Sequence, residues 1–521
     1  MLRTKCYGGK GSSGKPQHTL LPTVTRPVLS KESISPHPGP SMSRFRTSLV
    51  TCAVLGVFFA EPLLAQTIST ASAQEDFDVL WKSIREAHGG LSRHVTPAEL
   101  DRRVAAHRAR LDKPMPQGAF AGLLQESISE LRDGHMRLEL DSATAAARAA
   151  AAVFPLRVVL EGDRMVVAFN DSPTDTTLRP GMAIVSINGR ATSELVRQLL
   201  PKVPGDGFIE TGKRFILGRQ FPQLYWLYVE QSASFVVVAR DGSGREFSAS
   251  IPGILERDRR SVTNPVNATL SANLARLDGP AGNIALEFLN GGPVARLRVR
   301  AFDGQAFPAT LDSAFRTARA RNTSSMVLDL RGNGGGVDEY GALLVSYFLD
   351  KPFRYFDHIH VLTIAPSFAT WLPRTFDAMR TGTTPDPAGG YRITSALHPG
   401  VAEQPPPATP FLGKLVVLLD GGTFSTAADV AAQLRSMDRA TFIGEETGGG
   451  YEGNTSGLNA SIVLPNSKLR LRIMMYDYWN AVKAPANRGR GTIPDRVIVR
   501  RVADFMQGAD PAMEEALRVL R

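Results

Sequence analysis

The chain has 521 residues, 43% of them hydrophobic and 21% charged, a composition that fits two or three folded domains and excludes disorder over most of its length. The formal charge of +10 is concentrated at the front, where residues 1–65 hold eight Lys or Arg against two Asp or Glu. The remainder carries only about +4 and needs no nucleic acid as partner. Arg44 and Arg46 precede the apolar run from Ser48 to Ala60, and Leu63-Leu64-Ala65 offers a small-residue cleavage point before Gln66. This reads as a secretory signal peptide starting at Met42, with residues 1–41 an upstream extension or leader. The run is too short for a membrane anchor and is broken by Glu61-Pro62, so no stable membrane insertion is expected after cleavage. Cys52 follows Thr51 and has most of the apolar stretch after it, which does not fit lipid attachment. Cys6 and Cys52 both lie ahead of the cut. The exported protein, periplasmic or secreted, is therefore expected to have no disulfide, no Cys-ligated zinc and no thiol chemistry.

From Asp76 to about Leu140 the spacing of Phe77, Val79, Leu80 and Ile84, then of Phe120, Leu123, Leu124, Ile128 and Leu131, predicts helices with one buried face. That pattern ends at Arg132-Asp133-Gly134-His135-Met136, and an Ala-rich helix follows over 143–152, giving a helical segment over 76–152. The texture then turns to β, in Leu156–Leu160 and Met165–Phe169. Pro180-Gly181-Met182-Ala183-Ile184-Val185-Ser186-Ile187-Asn188-Gly189 is similar to the Gly-Asp-x-Ile-x-x-Ile-Asn-Gly signature of PDZ modules, with Met182 in place of the Asp. The resemblance implies a PDZ-like β module over 154–252, able to add a peptide as an extra strand. A plain hairpin with an Asn-Gly turn is the other reading.

From 283 to the C-terminus the pattern alternates strand and helix. Val294–Arg300, a helix marked by Leu311, Ala314, Phe315 and Ala318, and the strand from Met326 form one βαβ unit. Leu415–Leu419, the helix after Ser425 and Ala440–Ile443 form a second. Leu458–Leu464 and Leu469–Met474 read as a hairpin across Pro465-Asn466-Ser467. A largely parallel or mixed sheet is expected.

Two strand ends carry the chemistry. Lys414–Asp420 runs into Gly421-Gly422-Thr423-Phe424-Ser425-Thr426-Ala427-Ala428, which places the Ser425 hydroxyl at the positive end of a helix. About ninety residues earlier Met326–Leu330 runs into Arg331-Gly332-Asn333-Gly334-Gly335-Gly336, where glycines let backbone amides approach a ligand. A simple helix cap is the alternative role for Ser425. Together these segments resemble the serine peptidase family of the C-terminal processing proteases, the tricorn core and the interphotoreceptor retinoid-binding proteins. The resemblance runs from about Asp76 to the C-terminus and implies an α/β, crotonase-like (ClpP/crotonase) catalytic core.

The same resemblance assigns roles. Asp133-Gly134-His135-Met136 is similar to the Asp-Gly-His-Thr of the tricorn-like branch, which makes His135 the base for Ser425. The other branch uses a lysine in a Gly-Glu-Lys-Thr-x-Gly-Lys-Gly context, but here Gly444–Tyr451 reads Gly-Glu-Glu-Thr-Gly-Gly-Gly-Tyr and Gly450 stands where that lysine would be. The oxyanion amides implied are those of Gly335 and Thr426, with Gly334 as the near alternative. Relatives carry Glu three residues after the nucleophile, whereas here Ala428 takes that place and Asp429 follows. Arg488, Gly489 and Arg490 stand where the tricorn core has its catalytic acid, ahead of Gly491-Thr492-Ile493-Pro494-Asp495. The orienting carboxylate is left among Asp429, Glu446 and Asp133. His358 and His360 share a strand face without a third ligand in sequence, so no metal is expected, and no cofactor. Trp371, Tyr476, Tyr478 and Trp479 are candidates for a substrate groove or for packing.

The expectation is an exported serine-type peptidase acting on a peptide or protein substrate. Two alternatives stand beside it, a catalytically silent peptide- or lipid-binding relative and a crotonase-like hydratase or thioesterase. The sequence leaves specificity and oligomeric state open.

Overall fold

The computed structural model describes residues 67–289, 291–368 and 373–521. The expected signal peptide and Trp371 lie outside the described residues. Within them the chain is a mixed α/β structure with three six-stranded sheets.

The first sheet runs in the order Ile284–Leu289, Val294–Val299, Ser325–Asp329, Lys414–Leu419, Thr441–Gly444, Arg496–Val497. Its first pair is antiparallel and the rest are parallel. Met326-Val327-Leu328 and Leu415–Leu419 are buried throughout, as central strands covered on both faces must be. Helices Phe307–Ala320 and Thr426–Ser436 provide crossovers between parallel neighbours.

A second sheet is built on the long pair Thr455–Val463 and Arg470–Asn480, and continues through Phe356–Val361 and Tyr391–Ile393 to Thr383–Pro385. Leu138–Glu139 adds to Arg470–Leu471, which pins the chain just after the Asp-Gly-His segment. Helices Thr70–Ala87, Pro97–Ala109 and Gln117–Ile128 cover this hairpin, burying Phe77, Leu80, Trp81, Ile84, Phe120 and Leu124 against Ile462, Leu464, Leu471 and Ile473. Each such side chain contributes about 1.5–3 kcal/mol. Asp76, fully buried within the first helix, accepts from the Asn466 and Ser467 amides at 2.9 and 2.7 Å and so locks the hairpin turn to that helix.

The third sheet is antiparallel throughout, in the order Glu246–Pro252, Ser234–Arg240, Ala183–Ile187, Arg164–Asn170, Leu156–Glu161. Asn188 and Gly189 turn at φ +48° and +76°, the two positive values of a type I′ hairpin turn, and lead into Arg190–Ala191. Helix Glu210–Tyr228, unexpected from the β texture, buries Leu217, Phe221 and Tyr225 with Phe154 and Phe235 in a core of its own.

Candidate active site

Strands Ser325–Asp329 and Lys414–Leu419 lie side by side and parallel, so both turns emerge at the same carboxyl edge of the sheet, where α/β sheets place their ligands. Four hydrogen bonds stitch the turns together. Gly332 N–H donates to Asp420 Oδ1 at 2.8 Å, Thr423 Oγ1 to Leu330 O at 3.0 Å, Phe424 N–H to Asn333 O at 2.9 Å, and Thr426 Oγ1 to Gly336 O at 2.9 Å. Beneath them lies a buried ion cluster. Arg331 forks onto Asp329 at 2.8 and 2.9 Å and onto Asp510 at 2.8 and 2.9 Å, while Arg296 adds a 2.7 Å bond to Asp329. Burial alone would raise Asp329, but the Arg331 guanidinium and then Arg296 outweigh it and hold the carboxyl far below its ordinary value. Arg331 therefore shapes the turn and is spent on it.

Ser425 begins the Thr426–Ser436 helix at φ +53° and ψ −132°, a backbone conformation that L residues rarely adopt. Strain of this kind costs of order 1–3 kcal/mol and persists only where the surroundings impose it. The side chain makes no capping hydrogen bond, so the helix-cap reading fails. Ser425 is half-buried, and among the described residues neither its hydroxyl nor the Thr426 amide has a hydrogen-bond partner. A sharp strand-to-helix turn that strains a serine and leaves its oxygen and the next amide free is the geometry of a nucleophile.

Gly335 lies directly against this turn, at φ +99°. A Cβ there would sit 2.6 Å from Ser425 Cβ and 3.0 Å from Thr426 N. Its own N–H, however, donates to Asn333 Oδ1 at 2.9 Å. The amide that the resemblance assigned to an oxyanion is thus already paired, and among the described residues the Gly334 and Gly336 N–H groups of this turn have no partner.

His135 follows a left-handed Arg132 at φ +56°, which ends the helical segment. Gly134 is wedged so tightly that a Cβ would meet Phe424 at 2.7 Å. The His135 ring lies on Phe424, the residue before Ser425, with centroids 4.6 Å apart. Asp133 accepts from His88 Nε2 at 2.8 Å and from the His135 N–H at 2.6 Å, and its Oδ1 is 3.9 Å from His135 Nδ1. Burial pushes Asp133 up, but the His88 hydrogen bond and the two histidines hold it below its ordinary value.

The other two proposed carboxylates are turned away from His135. Asp429 is hydrogen-bonded by Asn480 at 2.9 Å and more loosely by Asn454, and burial with the charge of Asp338 raises it well above the usual carboxylate range. Glu446 is gripped by Arg490 at 2.8 and 2.6 Å and by the Gly491 amide. Asp206, which sequence reasoning missed, comes instead. It accepts from Gly134 N–H at 2.7 Å, and an oxygen of each of Asp133 and Asp206 lies with a His135 ring nitrogen in a group no more than 4.8 Å across. That group has the donor types of a metal site, but its carboxylates are turned to amides and to His88.

Residues 293–498 match the model of peptidase family S41. Over this span the sequence is similar to the serine peptidases of that family. In overall fold the chain is similar to mature CPAF, with a TM-score of 0.61 at 15% identity over 87% of this chain and 96% of that one. It is equally similar to mature CPAF complexed with lactacystin, at 0.61 and 15% over 87% and 98%. The photosystem II D1 C-terminal processing protease gives 0.41 at 16% over 86% and 97%. No curated protein matches in sequence.

The remaining sequence candidates lie elsewhere. Tyr476 and Tyr478 are buried in the core beside Phe356 and His398. Trp479 is stacked between His358 and Arg93. His358 bonds Asp357, and His360 bonds the Gly389 carbonyl, so they share no centre. One consequence of the Gly335 contact is directly measurable. Gly335→Ala forces a Cβ into the Ser425 turn at positive φ, and a misplacement of about 1 Å at a nucleophile costs on the order of 100-fold in rate. Steady-state kinetics of Gly335→Ala should show that loss mainly in kcat.

Proposed function

We propose that the chain is an exported endo- or exopeptidase in which Ser425 attacks the scissile carbonyl, His135 takes and returns the proton, and backbone amides hold the oxyanion. The observation that carries this is the strained Ser425, whose hydroxyl is free beside the free Thr426 amide, with His135 packed on the preceding side chain. The Oγ–C bond forms as the Oγ proton passes to the imidazole, and the C–N bond breaks as that proton reaches the leaving amine. The Thr426 N–H is one oxyanion donor. Gly334, with its unpaired N–H, is the better second donor unless Gly335 releases Asn333. In this reading residues 283–521 are a crotonase-like core, 154–252 a PDZ-like module and 76–152 a helical segment carrying His135. Incubation with an unfolded protein should release new α-amino groups, and their absence under all conditions would sink the proposal.

A second reading, a catalytically silent binder of peptides or lipids, draws on a cavity of about 510 Å³ lined by Phe169, Phe215, Leu270, Leu274 and Phe505 with Arg214 at its rim. It predicts binding without any cleavage product.

Export rests on the residue 42–66 pattern. Among the described residues no helix is long and apolar enough to cross a membrane. N-terminal sequencing of protein from the exported fraction should begin at or near Gln66; a form retaining Met1 in the cytoplasm would contradict export.

A further inference from the structure

Asp206 reaches the site from the loop ahead of helix Glu210–Tyr228, far in sequence from both strand ends. The loop is fixed on two sides, since Gly207 N–H donates to Arg132 O at 2.8 Å and Phe208 N–H to Gly489 O at 2.7 Å. Gly207 turns at φ +54°, where a Cβ would fall 2.1 Å from Gly489 O, so the chain passes there only as glycine. The Asp206 carboxylate, 3% exposed, accepts from Gly134 N–H at 2.7 Å and from Gly450 N–H at a longer 3.3 Å. Facing it, His135 Nδ1 is buried without a hydrogen-bond partner. Buried polar atoms are rarely left so, and catalytic hydrogen bonds often close only when substrate binds.

We propose that Asp206 is the positioning residue for His135, accepting a hydrogen bond from Nδ1–H so that Nε2 faces the Ser425 hydroxyl. This rests on the reading of Ser425 and His135 given above. An Asp206 oxygen lies within 4.8 Å of a His135 ring nitrogen, a gap that a shift of the ring would have to close. The bond fixes the tautomer, and the negative charge steadies the imidazolium while it holds the serine proton for the leaving amine.

Asp133 carries two short bonds, Oδ2 to His88 at 2.8 Å and Oδ1 to the His135 backbone at 2.6 Å, whereas Asp206 Oδ2 has only the long 3.3 Å bond from Gly450 N–H and keeps capacity for another donor; Asp429 is turned to Asn454 and Asn480, and Glu446 to Arg490. Among the described residues Asp206 makes no ion pair with Lys or Arg, and the charged or titratable groups that face it are His135, Asp133 with His88 behind it, and Asp429. Burial, opposed by His135 and the two amides and helped by Asp133, pushes it up to about 6. A carboxyl raised on folding lowers stability once pH exceeds its unfolded value of about 3.9. Removing the charge should therefore cost no stability at neutral pH, which separates a role in catalysis from one in folding.

The test compares wild type, Asp206→Asn and Asp133→Asn in the full chain, by pH profiles of peptide hydrolysis, melting temperature, and proton NMR of the fluorophosphonate adducts. Asp206→Asn is expected to lose about 100-fold or more in kcat with KM nearly unchanged and Tm unchanged or higher. The acid limb of kcat/KM should move to lower pH, because imidazolium loses a carboxylate neighbour. The low-field Nδ1–H resonance should vanish in Asp206→Asn and persist in Asp133→Asn. Asp206→Asn retaining more than about a third of wild-type kcat overturns the assignment. So does a loss with an unmoved acid limb and a fallen Tm, or disappearance of the resonance in Asp133→Asn instead. A wild-type chain that neither cleaves peptide nor takes up phosphonate defeats the Ser425 reading itself, and this assignment with it.

Discussion

Ser425→Ala is expected to lower kcat/KM by about a thousandfold or more while leaving the melting temperature within a degree or so. The rate loss follows from removal of the only attacking oxygen in the mechanism. Stability is spared because the side chain makes no capping hydrogen bond that alanine would forfeit. A helix-cap serine would behave oppositely, costing about 1 kcal/mol of stability on truncation. Ser425→Gly should be equally inactive and more stable by about 1 kcal/mol, since glycine relieves the positive φ. His135→Ala should abolish turnover as completely as Ser425→Ala, and the double variant should be no worse than either, because a nucleophile and its base act as one unit. Lys468→Ala, an exposed side chain in the hairpin turn bonded only to the Pro465 carbonyl, is the silent control. A His135→Ala chain with more than about a tenth of wild-type kcat/KM, under ~1.4 kcal/mol of lost transition-state stabilisation, contradicts the Ser425–His135 pairing.

Arg331→Met is expected to cost about 3–5 kcal/mol of stability, the largest single effect outside the reacting groups. Two carboxylates, Asp329 and Asp510, would be left in the interior, with Arg296 still bonded to Asp329 and only the more distant charges of Arg298 and Arg500 beside them. Both are held below their ordinary values in the native chain, so their contribution is present above the unfolded value of about 3.9 and is lost as pH falls below it. Denaturant unfolding should therefore show the gap between wild type and Arg331→Met wide at pH 7 and narrowing below about pH 4. A gap that stays constant across that range would mean the cluster is held by packing rather than charge. Activity should fall as well, because the turn that Arg331 clamps carries Asn333 and Gly335 to the nucleophile.

The parts of this architecture legible in sequence are those where one periodicity dominates. Val294–Arg300 sets Arg296, Arg298 and Arg300 in alternation with apolar residues and Leu415–Leu419 is a short apolar run, and the structure ends these strands within a residue of the same limits. The hairpin across Pro465-Asn466-Ser467 was readable from its turn residues, although its strands extend further than the alternation suggested. Helix Glu210–Tyr228 was not, because its buried residues Gly212, Leu217, Phe221, Leu224 and Trp226 face more than one neighbour and Pro222 stands inside it. The two glycine turns were legible as strand ends, and the structure brings them together at one edge of the sheet. Which amides are free is a matter of where Asn333 points, and that is set only by its bond to the Val299 carbonyl. Asp206 carries no local signal at all. It sits in a Pro-Gly-Asp-Gly loop that any surface turn would resemble, and only the docking of that loop against Arg132 and Gly489 brings it to His135.

One measurement tests the identity of the nucleophile most directly. The full chain is labelled with a serine-directed fluorophosphonate and digested, and the modified residue is located by peptide mass spectrometry. A single adduct on Ser425, abolished in Ser425→Ala and slowed at least tenfold in His135→Ala, is the predicted result. Labelling on another serine, or undiminished labelling of the Ser425→Ala chain, would contradict it.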